Sequence, residues 1–171
     1  FYEIFKLFRY SGYKHKNLFL ISIVLFSIFS SGFFLFSGMK KEMIFYSFAI
    51  ISIFDSFSTI TGQLWGRKRI LPQISPHKTV TGFFGGLGIA ILSGVLLKGL
   101  IVENLSNALI LAAGIAVFAF VGDALTSFYK RKYDVKDFSD LIPGHGGFLD
   151  RFDSLVAGGA WIAFCLLIRL V

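Results

Sequence analysis

The sequence predicts an all-α polytopic membrane protein of about five transmembrane helices, with two polar loops on its cytoplasmic face. Three observations lead there. Hydrophobic residues make up 55% of the 171, Phe alone fills 22 positions, and mean hydropathy is +0.73. Charged residues amount to 16%, against about 25% in an ordinary soluble domain. They cluster in a few intervals, and the apolar runs between them approach the roughly 20 residues that cross a bilayer.

Taken in order, residues 1–17 place Ile4, Phe5 and Phe8 among Lys6, Arg9, Lys14 and Lys16. This reads as an interfacial helix or, equally, as a basic flank to the first span. That span is expected over 18–36, and the link SGMKKE leads to a second over 43–65, which carries Asp55 among Ser52, Ser56, Ser58, Thr59 and Thr61. Residues 66–79 form a basic loop without an acid. The third span, 80–97, opens with Gly82, Gly85, Gly86 and Gly88, small residues of the kind that let membrane helices approach closely. A fourth span, 105–128, holds Asp123 near its end; the polar stretch 129–154 and a fifth span, 155–171, follow. No tandem repeat interrupts this, so one membrane domain over 1–171 is expected. The first apolar run is too long for a signal peptide and no small-residue cleavage site follows it, while Phe1 in place of Met leaves room for residues upstream.

Two spans separate the loops 66–79 and 129–154, so both lie on one side. Their basic residues, with those of the N-terminal tail, put that side in the cytoplasm; Lys40 and Lys41 then fall outside, against the rule. The formal net charge of +7 is explained by topology and by anionic lipid or phosphate, and no nucleic-acid partner is expected. The lone Cys165 lies in the last apolar run and excludes an intrachain disulfide.

Asp55 and Asp123 stand inside apolar spans, where a charge costs at least about 2.5–3.5 kcal/mol and usually serves function; capping a neighbouring helix or snorkelling to the interface is the alternative. Arg67, Lys68, Arg69 and Lys78, near Gly62, Gly66 and Ser75-Pro76, have the composition of a triphosphate cradle, although such clusters also serve topology and lipid headgroups. The stretch Ser127–Asp153 is richer: Lys130, Arg131, Lys132, Lys136 and Arg151 nearly balance Asp134, Asp137, Asp140, Asp150 and Asp153 around Pro143-Gly144-His145-Gly146-Gly147. Asp137, Asp150 and Asp153 suit Mg²⁺, which takes carboxylates, water and substrate phosphates. His145 suits a phosphate contact or proton transfer. One Cys and three scattered His argue against zinc, and neither a GxSxG elbow nor a GxxxxGK[ST] loop is present.

The run SFYKRKYDVKDFSDLIPGHGGFLDRFD, residues 127–153, resembles the signature of the phosphatidate cytidylyltransferase (CDP-diglyceride synthase) family: S, K-R, K-D, a small residue, P-x-H-G-G and D-R-x-D at fixed spacing. Tyr129 stands where an aliphatic residue or Phe is usual. Upstream, Asp55, Gly62 and Gly66, then I-S-P-x-K-T (Ser75, Pro76, Lys78, Thr79) and G-x-x-G-G (Gly82, Gly85, Gly86) resemble a second family element. Phe54 replaces an Asn and Thr81 a Glu that the family often carries.

The resemblance spans 55–153 and implies a reaction: CTP and phosphatidic acid give CDP-diacylglycerol and pyrophosphate. It implies Asp123 and Asp150 at a Mg²⁺ ion, with Asp153 and Asp137 next in line, and leaves room for a second cation, monovalent or divalent. Lys136 and His145 join the catalytic set. Arg67, Ser75, Lys78, Thr79, Lys130, Arg131 and Arg151 are the expected substrate-binding residues. The bilayer is an implied partner and a homodimer is left open. A CTP-dependent lipid kinase of the polyprenol type, or a non-enzymatic transporter or scaffold, would also place acids at span ends.

Overall fold

The computed structural model describes residues 2–139 and 147–170. Over these residues the chain forms α1 (Tyr2–Tyr10), α2 (Lys16–Ser37), α3 (Lys41–Trp65), a hairpin of β1 (Arg69–Leu71) and β2 (Ser75–Thr79), α4 (Val80–Leu96), α5 (Leu105–Lys132) and α6 (Leu149–Leu167). The all-α polytopic class holds, and each expected apolar run is a helix. Three of them, α2, α3 and α5, are long and apolar enough to cross a membrane on their own. The apolar α4 has 17 residues, and the 19-residue α6 opens with Asp150, Arg151 and Asp153.

Glycine sets how the helices meet. A Cβ on Gly82 would stand 2.6 Å from the Ser58 carbonyl oxygen, and one on Gly86 would stand 2.8 Å from that of Phe54. α4 therefore lies directly on the backbone of α3, as small residues allow in membrane bundles. Gly122 does the same between α5 and α6, where its Cβ would meet Ala157 at 2.6 Å. The core between these pairs is built from Phe36, Tyr46, Ile50, Phe54, Leu111, Ile115, Ile162 and the buried Cys165. A second cluster joins Ile4, Leu7 and Phe8 of α1 to Tyr129, Tyr133, Phe138 and Leu149 at one end of the bundle.

α1 is amphipathic, burying Glu3, Ile4, Leu7 and Phe8 while Phe5, Lys6 and Arg9 stay exposed. The chain reverses after it through Gly12, at φ +69, a conformation that glycine adopts without penalty.

Two stretches expected as loops are ordered differently. Residues 69–79 form an antiparallel hairpin, with Arg69 opposite Thr79 and Leu71 opposite Ser75. Its strands are too short to show an alternating pattern, and Pro76 speaks against a strand except at an edge. β2 runs straight into α4, whose N-cap Thr79 accepts a hydrogen bond through Oγ1 from the Gly82 N–H at 3.1 Å. At the other end of the sequence, α5 continues to Lys132, and α6 begins at Leu149 rather than at 155. The charged D-R-F-D segment is thereby helical, because its first amides are satisfied from outside the helix, as described below.

The hairpin, α1, the C-terminal turns of α5 and the N-terminal turns of α6 gather at one end. Arg131 Nε donates to the Ile74 carbonyl at 3.3 Å, and the Tyr129 hydroxyl donates to the Ile4 carbonyl at 3.1 Å.

Candidate active site

Among the described residues, four acidic side chains converge on the cavities at this polar end, and their partners separate them into different jobs. Asp123, in the second half of α5, accepts from Ser127 Oγ through Oδ1 at 3.2 Å and pairs through Oδ2 with Lys78 Nζ at 2.8 Å. The Lys78 ammonium is buried, and it lies 4.5 Å from the centre of the Phe120 ring. Its pairing with Asp123 leaves the remaining N–H donors of the ammonium without an acceptor among the described residues. Leaving a buried donor unpaired is costly, and an anion entering from the cavity would relieve it.

Asp55, on α3, accepts hydrogen bonds from Ser58 and Thr59 through its backbone oxygen at 3.0 and 2.8 Å. Asp153 is buried; Oδ2 accepts from Thr126 Oγ1 at 2.6 Å, and Oδ1 from the Ser154 N–H at 2.7 Å. Asp150, partly buried with 7% of its side chain exposed, is fully engaged: it accepts from the Phe138 N–H at 2.8 Å, from the Gly147 N–H at 2.9 Å and from Lys130 Nζ.

Three cavities meet around these residues. The largest, about 600 Å³, lies between the hairpin, α3, α4 and α5, and is walled by Ser58, Arg69, Ser75, Lys78 and Thr79. A second, of about 360 Å³, is lined by Asp150, Arg151 and Asp153. Asp55 and Asp123 line both, so the two cavities share one carboxylate wall. A third, apolar slot of about 130 Å³ runs beside Leu25, Phe26 and Phe29 of α2 and Leu125 of α5, and reaches Thr126 and Asp153.

The structure thus brings together Asp123, Asp150, Asp153, Lys78, Ser75, Thr79 and Arg151, with Asp55 added. Lys130 contacts Asp150 rather than a cavity. Arg131 ties the hairpin to α5 and also donates to the Val135 carbonyl at 3.0 Å. Arg67, Lys136 and Asp137 are exposed and line none of the three cavities. His145 lies outside the described residues. Reading the residues alone missed Glu3, which is buried and bound to Ser139, Phe148 and Leu149. The one available signal was an acid on the apolar face of an amphipathic helix.

Among the described residues, no three His, Cys, Asp or Glu side chains are grouped closely enough to hold a metal alone. The donor chemistry nevertheless fits Mg²⁺, which binds through one or two carboxylates while substrate phosphates and water complete its shell. Asp55 and Asp123 are the carboxylates facing both cavities, and no described side chain hydrogen-bonds or salt-bridges the Asp55 carboxylate.

Residues 2–169 match the profile of the cytidylyltransferase family. Bacillus subtilis phosphatidate cytidylyltransferase is 39% identical over 127 residues, 72% of this chain and 46% of that protein. The enzyme of the same name from Staphylococcus haemolyticus is 38% identical over 115 residues, 66% of this chain and 44% of that protein. That from Staphylococcus epidermidis is 37% identical over 130 residues, 73% of this chain and 50% of that protein. The chain spans about half the length of these curated relatives.

Proposed function

The chain belongs to the cytidylyltransferase family, and from that premise we propose that it transfers the cytidylyl group of CTP to phosphatidic acid, releasing pyrophosphate. The observation that carries this reading is the buried Lys78 ammonium, paired with Asp123 and with further donors to offer, at the wall between a polar cavity and an acidic one. A phosphate is the ligand that such an ammonium and the hydroxyls of Ser75 and Thr79 complement.

A phosphatidate oxygen attacks the α-phosphorus of CTP; one P–O bond forms, the bond to the pyrophosphate oxygen breaks, and that oxygen takes the electron pair. The nucleophile is already an anion, so the site needs no strong base. Its task is to hold two anions together and to neutralise the leaving group. Lys78, with Arg69 on the facing strand, does this for the triphosphate in the large cavity. Asp55 and Asp123 would hold Mg²⁺, which when bound supplies charge neutralisation at the phosphates; a second cation would share the same carboxylates. Asp153 marks where the apolar slot meets the acidic cavity, and that slot would take the part of an acyl chain next to the lipid headgroup. The positive-inside rule puts this face in the cytoplasm.

The test is the chain in detergent with phosphatidate, Mg²⁺ and CTP labelled at either the α- or the γ-phosphorus. Label from the α-position is expected in the lipid product. Label from the γ-position alone would mean kinase chemistry, and absence of any CTP-dependent lipid product would overturn the reading.

A further inference from the structure

Glu3 belongs to none of the three cavities, yet it is among the most heavily bonded carboxylates of the described residues. It is 7% exposed. Oε1 accepts from the Ser139 hydroxyl and from the Phe148 N–H at 2.9 Å, and Oε2 accepts from the Leu149 N–H at 2.8 Å. The first amides of a helix have no partner within it, and the N-cap of α6, Phe148, makes no side-chain cap of its own. Glu3 supplies the missing acceptors, and its negative charge suits the positive end of the helix dipole.

Asp150 works beside it. A Cβ on Gly147 would stand 2.6 Å from Glu3 Oε1 and 3.0 Å from Asp150 Oδ2, so the two carboxylates close on one glycine. Between them they tie residues 138 and 139 to residues 147–149. The first two turns of α6 carry Asp150, Arg151 and Asp153 to the wall of the acidic cavity. Their rotation and height are therefore set from α1, at the other end of the sequence.

We propose that Glu3 is a positioning residue for the transfer reaction, capping α6 from α1 and so seating Asp150 and Asp153 on the wall of the acidic cavity. This rests on the cytidylyl-transfer reading above. A group acting through a neighbour in this way typically changes activity about tenfold to a hundredfold when removed. It leaves the hairpin and Lys78 untouched, so the effect belongs in kcat rather than in KM for CTP.

The experiment pairs kinetics with hydrogen exchange on Glu3→Ala and Glu3→Gln in detergent. In Glu3→Ala, kcat is expected to fall by about tenfold or more with KM for CTP unchanged. Exchange should accelerate at the first turns of α6 while α3 stays protected. Glu3→Gln keeps one oxygen acceptor but turns an NH₂ toward the Leu149 amide, so it should be intermediate in both readouts. Unchanged kcat, unchanged exchange at α6, or loss of protection throughout α3 and α5 would each overturn the proposal; the last would make Glu3 a stability residue only. Wild-type protein that transfers nothing from CTP would instead sink the transfer reading and Glu3's part in it, while exchange still decides whether Glu3 seats α6.

Discussion

Lys78 is where a single side chain decides most. Its ammonium is buried beside Phe120 and the cavity wall and pairs with Asp123, which leaves further donors for a ligand. Removing one charge-stabilising donor from a site of this kind lowers turnover by about 100- to 1,000-fold. Lys78→Met should therefore reduce kcat/KM for CTP by about that factor, measured by CDP-lipid formation; an effect within experimental error would exclude Lys78 from the phosphate site. The acids were legible as a group because charge in an apolar sequence stands out: Asp123, Asp150 and Asp153 could all be singled out from residue type and spacing. Their division of labour was not legible. Asp150 spends its oxygens on two backbone amides and Lys130, whereas Asp55 faces two cavities, and only the folded arrangement of partners distinguishes them. Glu3 was hidden for the same reason, since its partners lie at residues 139, 148 and 149.

Helices were easier to read than their ends. A long apolar run announces itself, but the start of α6 depends on a carboxylate from α1, and the hairpin depends on pairing between strands of three and five residues. Neither leaves a local pattern. The seam between α3 and α4 was visible as glycines, and it gives an element-scale prediction. A Cβ at Gly86 would lie 2.8 Å from both the Phe54 oxygen and Ser58 Cβ, one residue from Asp55 in the chain, while one at Gly88 meets nothing within 4 Å. Gly86→Val should destabilise the protein by about 1–3 kcal/mol, the usual cost of overpacking, and lower activity by moving Asp55. Gly88→Ala, in the same helix, should leave the melting temperature in detergent unchanged or raised. Equal losses in both would show that helix α4 is sensitive everywhere and that the seam has no special role.

At the scale of the whole molecule, the charges gather at one end: the hairpin, the last turn of α5 and the first turns of α6 lie together, and Lys41 begins α3 at its far end. The alternation of spans predicted this grouping, and the hydrogen bond from Arg131 to Ile74 realises it. Single cysteines placed on a Cys165→Ser background should report it directly. Arg67→Cys and Lys136→Cys should react with an impermeant maleimide from the cytoplasmic side only, and Lys41→Cys from the opposite side only. Arg67→Cys and Lys41→Cys labelled from one side would contradict the bundle's orientation.

The apolar slot runs along α2, a membrane-length helix, and reaches Asp153. A ligand that enters sideways is sampled from a two-dimensional solution, so what the site senses is mole fraction in the surrounding film rather than amount per litre. On the proposed reaction CTP obeys the other measure, so diluting the lipid film with inert amphiphile should slow the encounter with phosphatidate without touching that with CTP.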